Sequence, residues 1–158
     1  MSLVGMVSLA SCGSDVAVES GPLQVGGTPG TLCIPAAPDE ITAYGDVVSV
    51  PADVKSAVVL DNFDMDGVEL QQVSIVPMEG SDSLGSLSLD NPPTVWNDKQ
   101  PAKGAEIEPG ESINIIAVFP ARNKGTIDAS PLTIEYSYEN QDYMAHASTK
   151  VEVREVCS

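Results

Sequence analysis

The chain has one histidine, His146, in 158 residues. It is nearly as poor in aromatics, with one tryptophan, two phenylalanines and four tyrosines, and it has seven basic residues against 23 acidic ones. Each shortage excludes something. General acid–base and nucleophilic catalysis most often place a histidine beside a serine, cysteine or carboxylate, and one histidine without a nucleophile motif gives no such centre. A formal charge of −16 rules against nucleic acid, whose phosphates need a basic footprint to displace their counterions. It equally disfavours adsorption of the folded body on anionic lipid. No apolar run approaches the ~20 residues that a membrane-spanning helix requires. No phosphate-binding loop is present either, because "VGGTPGT" lacks both the lysine and the helix that would follow it.

Proline and glycine are abundant, at 12 and 13 residues. They interrupt the chain every few positions and leave little room for a long helix. Between them lie short stretches rich in valine, isoleucine, threonine and tyrosine, the composition of strands. The length suits one domain with a proper core.

The first eleven residues, "MSLVGMVSLAS", are almost wholly apolar or small, and "GSDVAVESGPLQVGGTPG" follows Cys12 with the composition of a flexible tether. Leu9-Ala10-Ser11-Cys12 resembles a bacterial lipobox, with an apolar run before it and a polar, glycine-rich segment after it. The resemblance implies that the Cys12 thiol is alkylated by diacylglyceryl and becomes the first residue after cleavage. It further implies an extracytoplasmic protein anchored to the bacterial membrane through acyl chains. The division expected is a signal-peptide remnant over 1–11, a tether over 12–31 and a folded domain over 32–158. The other reading of the segment is a first strand over residues 3–10 with Cys12 buried.

Three cysteines are an odd number for an exported protein. With Cys12 assigned to lipid, Cys33 and Cys157 remain, bracketing the domain. A disulfide between them fits first and last strands lying side by side in an oxidising compartment. Two buried free thiols are the alternative. A metal site has less behind it, since no CxxC or histidine cluster accompanies them.

Strands follow from alternation. "YGDVVSV" and "VKSAVVLD" are separated by Pro51-Ala52-Asp53. In "GVELQQVSIVP", Val68, Leu70, Val73 and Ile75 face inward, and the change of parity at Gln71-Gln72 implies a bulge. "ESINIIAVFP" is apolar on both faces and reads as a central strand. "LTIEYSY" puts Leu132, Ile134, Tyr136 and Tyr138 on one face. After a tight turn at Glu139-Asn140-Gln141, "DYMAHASTKVEVREV" puts Tyr143, Ala145, Ala147, Thr149, Val151 and Val153 inward, with Met144, His146, Lys150, Glu152 and Arg154 outward. Seven or eight such strands with no long helix predict an all-β, antiparallel sandwich. The pattern resembles an immunoglobulin-like or fibronectin-like domain of the kind exported on lipoproteins, although the Cys…Trp…Cys spacing of true immunoglobulin domains is absent.

Three places hold candidate chemistry. "LDNFDMDGVEL" carries Asp61, Asp64, Asp66 and Glu69 around Gly67, which is part of a calcium-loop pattern. The same residues equally suit a turn between two strands. Met144 and His146 share a strand face and pair two ligands that copper accepts, or they are simply solvent-facing. Trp96, in "NPPTVWNDKQPAKG", either caps the core or anchors a partner. The function expected is an envelope binding or structural module acting on a protein partner, with no cofactor and no enzymatic activity; a small-ligand or cation carrier is the alternative.

Overall fold

In the computed structural model, residues 21–26, 29–78, 80, 84–121 and 126–158 are described. Residues 1–20, and with them Leu9-Ala10-Ser11-Cys12, lie outside that set. The described strands are β1 (Gln24–Val25), β2 (Gly30–Pro35), β3 (Ile41–Ser49), β4 (Val58–Asp64), β5 (Gln72–Pro77), β6 (Gly85–Leu87), β7 (Gln100–Pro101), β8 (Glu106–Ile107), β9 (Ser112–Pro120), β10 (Ile127–Ala129), β11 (Thr133–Tyr138), β12 (Gln141–His146) and β13 (Thr149–Arg154). One short 3₁₀ turn covers Thr94–Asp98.

The strands form an all-β sandwich. One sheet runs β1-β3-β9-β5-β7, with β6 also beside β3; a second runs β12-β11-β4-β8; a third runs β10-β13-β2. All pairings are antiparallel except β13 with β2, which is parallel from Thr149↔Gly30 to Arg154↔Pro35. β10 and β13 prolong the β11–β12 hairpin beyond a break where the Ala147 N–H donates to the Leu132 carbonyl at 2.8 Å. The hairpin turn is two residues long, Glu139 and Asn140, both with positive φ (48° and 63°). That is the turn whose twist matches paired strands.

The main core lies between the sheets. Tyr44 and Val48 of β3 and Ile115, Ala117 and Phe119 of β9 meet Leu60, Ile107, Leu132, Ile134 and Tyr136. Fully burying each large aliphatic or aromatic side chain contributes about 1.5–3 kcal/mol. β9 is buried along both faces, as its doubly apolar sequence implies. Its second face is covered because the segment after β6 folds over it: Ala43, Val76, Ile116 and Val118, with Leu87 of β6, pack with Val95 in a smaller core, joined by half-buried Leu84, Leu89 and Trp96.

The fold departs from the sequence expectation in three places. The domain takes in chain assigned to the tether, since Leu23 is buried and β1 pairs with β3. The alternation there is too short to signal a strand, and tertiary contact holds it. β5 begins only at Gln72, so the parity change at Gln71-Gln72 marks a strand start rather than a bulge. The irregularity sits instead in β4, where Asp61 is the extra residue between Leu60↔Tyr136 and Asn62↔Glu135. Finally, "VKS" of the second expected strand is connection, and β4 starts at Val58.

Candidate functional site

The outward face of the four-stranded sheet gathers residues from distant parts of the sequence. Across β4, β11 and β12, one row reads Asp64, Thr133, His146 and the next Asn62, Glu135, Met144. A third pairs Ser137 with Asp142, and Glu106 of β8 lies beyond β4. Met144 and His146 therefore share a face, as alternation implied, and Asp64 of the acidic stretch joins them. The His146 Nδ1 lies 3.0 Å from the Thr133 Oγ1. Thr133 and His146 are a pair whose side chains approach closely, because backbone hydrogen bonds in a two-residue hairpin fall on the alternate pairs. Four carboxylates stand on this face, from Asp64, Glu106, Glu135 and Asp142, with no lysine or arginine in its four strands.

The acidic stretch itself is spread out. Asp61 occupies the bulge, Asp64 ends β4, and Asp66 and Glu69 are exposed beyond it. Its turn is clamped to a neighbouring segment: the Asp66 N–H donates to Ser130 Oγ at 2.7 Å, and the Ser130 N–H donates to the Asp66 carbonyl at 2.9 Å. Gly67 has φ +93°, and a Cβ there would lie 2.6 Å from the Asp128 carbonyl oxygen. Glycine is thus required by close approach and backbone geometry. Among the described residues no three His, Cys, Asp or Glu side chains converge to hold a metal ion.

Trp96 packs half-buried on the smaller core, with the Lys99 Nζ 5.0 Å from its ring centroid. That contact suits a cation–π interaction. Cys33 and Cys157 are bonded, with Cα atoms 5.9 Å apart. A hollow of about 10 Å³ lies among Ala36, Pro38, Ala121, Ile127, Val153, Arg154 and Glu155, room for one water.

Two buried polar groups escaped the sequence reading. Asp46, 2% exposed, accepts the Tyr44 O–H at 2.7 Å and the Val47 N–H at 2.8 Å. Burial pushes its carboxyl above the ordinary range, against the pull of both hydrogen bonds. The Tyr44 hydroxyl is pushed up as well, first by burial and then by Asp46, with a hydrogen bond to Thr149 opposing. The signal was an aspartate at the inward parity of "YGDVVSV". Asn114, 1% exposed, accepts the Leu84 N–H at 3.3 Å, while its Nδ2 has no partner. Both act as polar fasteners within the packed strands.

Comparison with known proteins finds no matching family model and no curated relative. Among solved structures the chain is similar to the VesB protease of Vibrio cholerae, at 11% identity and TM-score 0.43, covering 84% of this chain and 31% of that one. The chain thus spans about a third of that protease. It is also similar to the ASH / PapD-like domain 7 of human CEP192, at 8% identity and TM-score 0.45, covering 100% of this chain and 98% of that one. A family 123 glycoside hydrolase from Clostridium perfringens matches at 12% identity and TM-score 0.44, over 86% and 28% of the two chains.

Proposed function

We propose that the protein is a binding or structural module of the bacterial cell envelope, rather than an enzyme, held to the membrane through acyl chains on Cys12. It engages a protein partner through the outward face of the four-stranded sheet. The observation that carries this reading is an asymmetry between the two sheets. The segment after β6, with Leu89, Val95 and Trp96, covers the outer face of the six-stranded sheet, whereas no described segment lies over the face bearing Asp64, Glu135, Met144 and His146. The acids on that face, without a base among them, select a partner that presents lysine or arginine. The Cys33–Cys157 bond supports an oxidising compartment. The lipobox resemblance supports the anchor.

Affinity capture from detergent-solubilised envelope fractions tests the partner. The wild-type chain should retain one dominant protein, and Asp64→Lys with Glu135→Lys should lose it. Equal capture by both would remove this face from consideration. Mass spectrometry of the protein expressed with its native upstream region should find an acylated Cys12; an unmodified amino terminus would overturn the anchor.

A further inference from the structure

Among the described residues β12 is a sheet edge with no strand hydrogen-bonded along its outer side, although β1 comes into contact with it. Among the described residues the other edges are guarded or very short: β1 and β8 have two residues, β6 and β10 three, β7 contains Pro101, and β2 ends at Pro35 and is fastened at Cys33. β12 has six residues and carries no proline, lysine or arginine, and among the described residues β11 is its only strand neighbour. These are the devices by which edges normally prevent pairing. The turn type fixes which backbone groups are left over. In a two-residue hairpin the flanking pair, Tyr138↔Gln141, exchanges hydrogen bonds, as do Tyr136↔Tyr143 and Ile134↔Ala145. The N–H and C=O groups of Asp142, Met144 and His146 therefore point away from β11, toward the free edge.

We propose that this edge pairs with the β12 edge of a second copy, antiparallel about a two-fold axis at Met144. A two-fold centred on a residue, rather than between two residues, pairs residues of like parity and so keeps both inward faces on the same side. Centring it at Met144 sets Met144 against its counterpart and places His146 opposite the partner's Asp142 on both sides of the axis. All three free residues of each strand then fall in hydrogen-bonded positions, giving about six backbone bonds. With the Thr133 hydroxyl donating to His146 Nδ1, the tautomer this pairing requires, Nε2 carries the proton and donates to the facing carboxylate. The result is one continuous eight-stranded sheet whose outward face is twice the size of the face described above. The pairing depends neither on the lipid anchor nor on any further partner. Repulsion between two copies at −16 each is screened over about 8 Å at physiological salt.

Sedimentation velocity in 150 mM salt, from ~10 µM to ~1 mM protein, tests this, with a dissociation constant on the order of 100 µM suiting so small an interface. Met144→Pro removes an N–H that faces the edge and fixes φ near about −65°, a change that edge strands tolerate, so it should abolish the dimer while the circular dichroism stays that of a folded sandwich. His146→Asp opposes two like charges twice and should weaken association by about tenfold or more, and Asp142→Lys combined with His146→Asp should restore it. A wild-type chain that stays monomeric to ~1 mM overturns the proposal, as does a folded Met144→Pro variant that still dimerises. Failure of the charge swap to restore association overturns the register.

Discussion

Removing the Cys33–Cys157 bond tests how far this domain depends on a constraint acting on the unfolded chain. The two cysteines are 124 residues apart in sequence, so the bond closes a loop that spans nearly the whole fold. In the chain-entropy treatment a loop of that size corresponds to about 5 kcal/mol at 25 °C. Native contacts change little on its removal, because β2 and β13 remain paired through Leu32↔Val151 and Ile34↔Val153, with Ile34, Val151 and Val153 buried. Small domains have ~5–15 kcal/mol in total, so this loss is large. The Cys33→Ala, Cys157→Ala double variant should therefore unfold at a urea concentration lower by about 2–5 M, taking a slope of about 1–3 kcal/mol per molar. Fluorescence of Trp96, half-buried on the smaller core, reports the transition, and wild-type protein with reductant should follow the variant. A fall in stability below about 1 kcal/mol would refute the reasoning. It would mean that the unfolded chain already holds its ends together.

Further outcomes follow from single positions. Gly21→Ala places a methyl group over the Tyr136 hydroxyl and against the Tyr143 ring, and should cost about 1–3 kcal/mol by thermal or chemical denaturation. Because burial raises the Asp46 carboxyl above its ordinary value, its contribution to stability is full below the ordinary carboxylate range and is lost as pH rises through the folded value. Asp46→Asn removes that dependence, so the melting temperature of the variant relative to wild type should rise as pH increases from about 3 to about 7. Glu139 adopts φ 48° without being glycine or asparagine; Glu139→Asn should add a few tenths of a kcal/mol to ~1 kcal/mol, read in the same denaturation.

What was legible in the sequence was what local chemistry dictates. β9 read as central because the residues from Ile113 to Phe119, Asn114 apart, are apolar at both parities, and both of its faces are buried. The β11–β12 hairpin read correctly in the faces of its strand residues, since period-2 alternation and a short polar turn fix register together, although Gln141, expected in the turn, is the first residue of β12 and pairs with Tyr138. The parallel β2–β13 pairing left no such mark, because orientation depends on where the chain goes between strands rather than on the strands themselves. Of the segment packed on the second face of the six-stranded sheet, a short strand near Leu84 to Leu89 was legible and is β6, while the rest read as loop, Val95 and Trp96 being too scattered to show a period.

The candidate site divides the same way. Met144 and His146 were placed on one face by their spacing of two, yet Asp64 lies some eighty residues upstream and reaches that face only because β11 pairs with β4 on one side and β12 on the other. Asp61 and Asp64, close in sequence, are separated in role by a bulge that no local pattern announced. Sequence proximity overstated the acidic turn and understated the sheet face. The turn at Glu139 and Asn140 closes the argument: a two-residue connection determines which strand pairs exchange hydrogen bonds, and so which residues are left with unpaired backbone groups. The outward side chains and the outward edge groups consequently belong to the same three residues, Asp142, Met144 and His146. Recognition through this sheet and association along its edge thus meet in one short strand, and a substitution there that changes one but not the other must act on side chain or backbone alone.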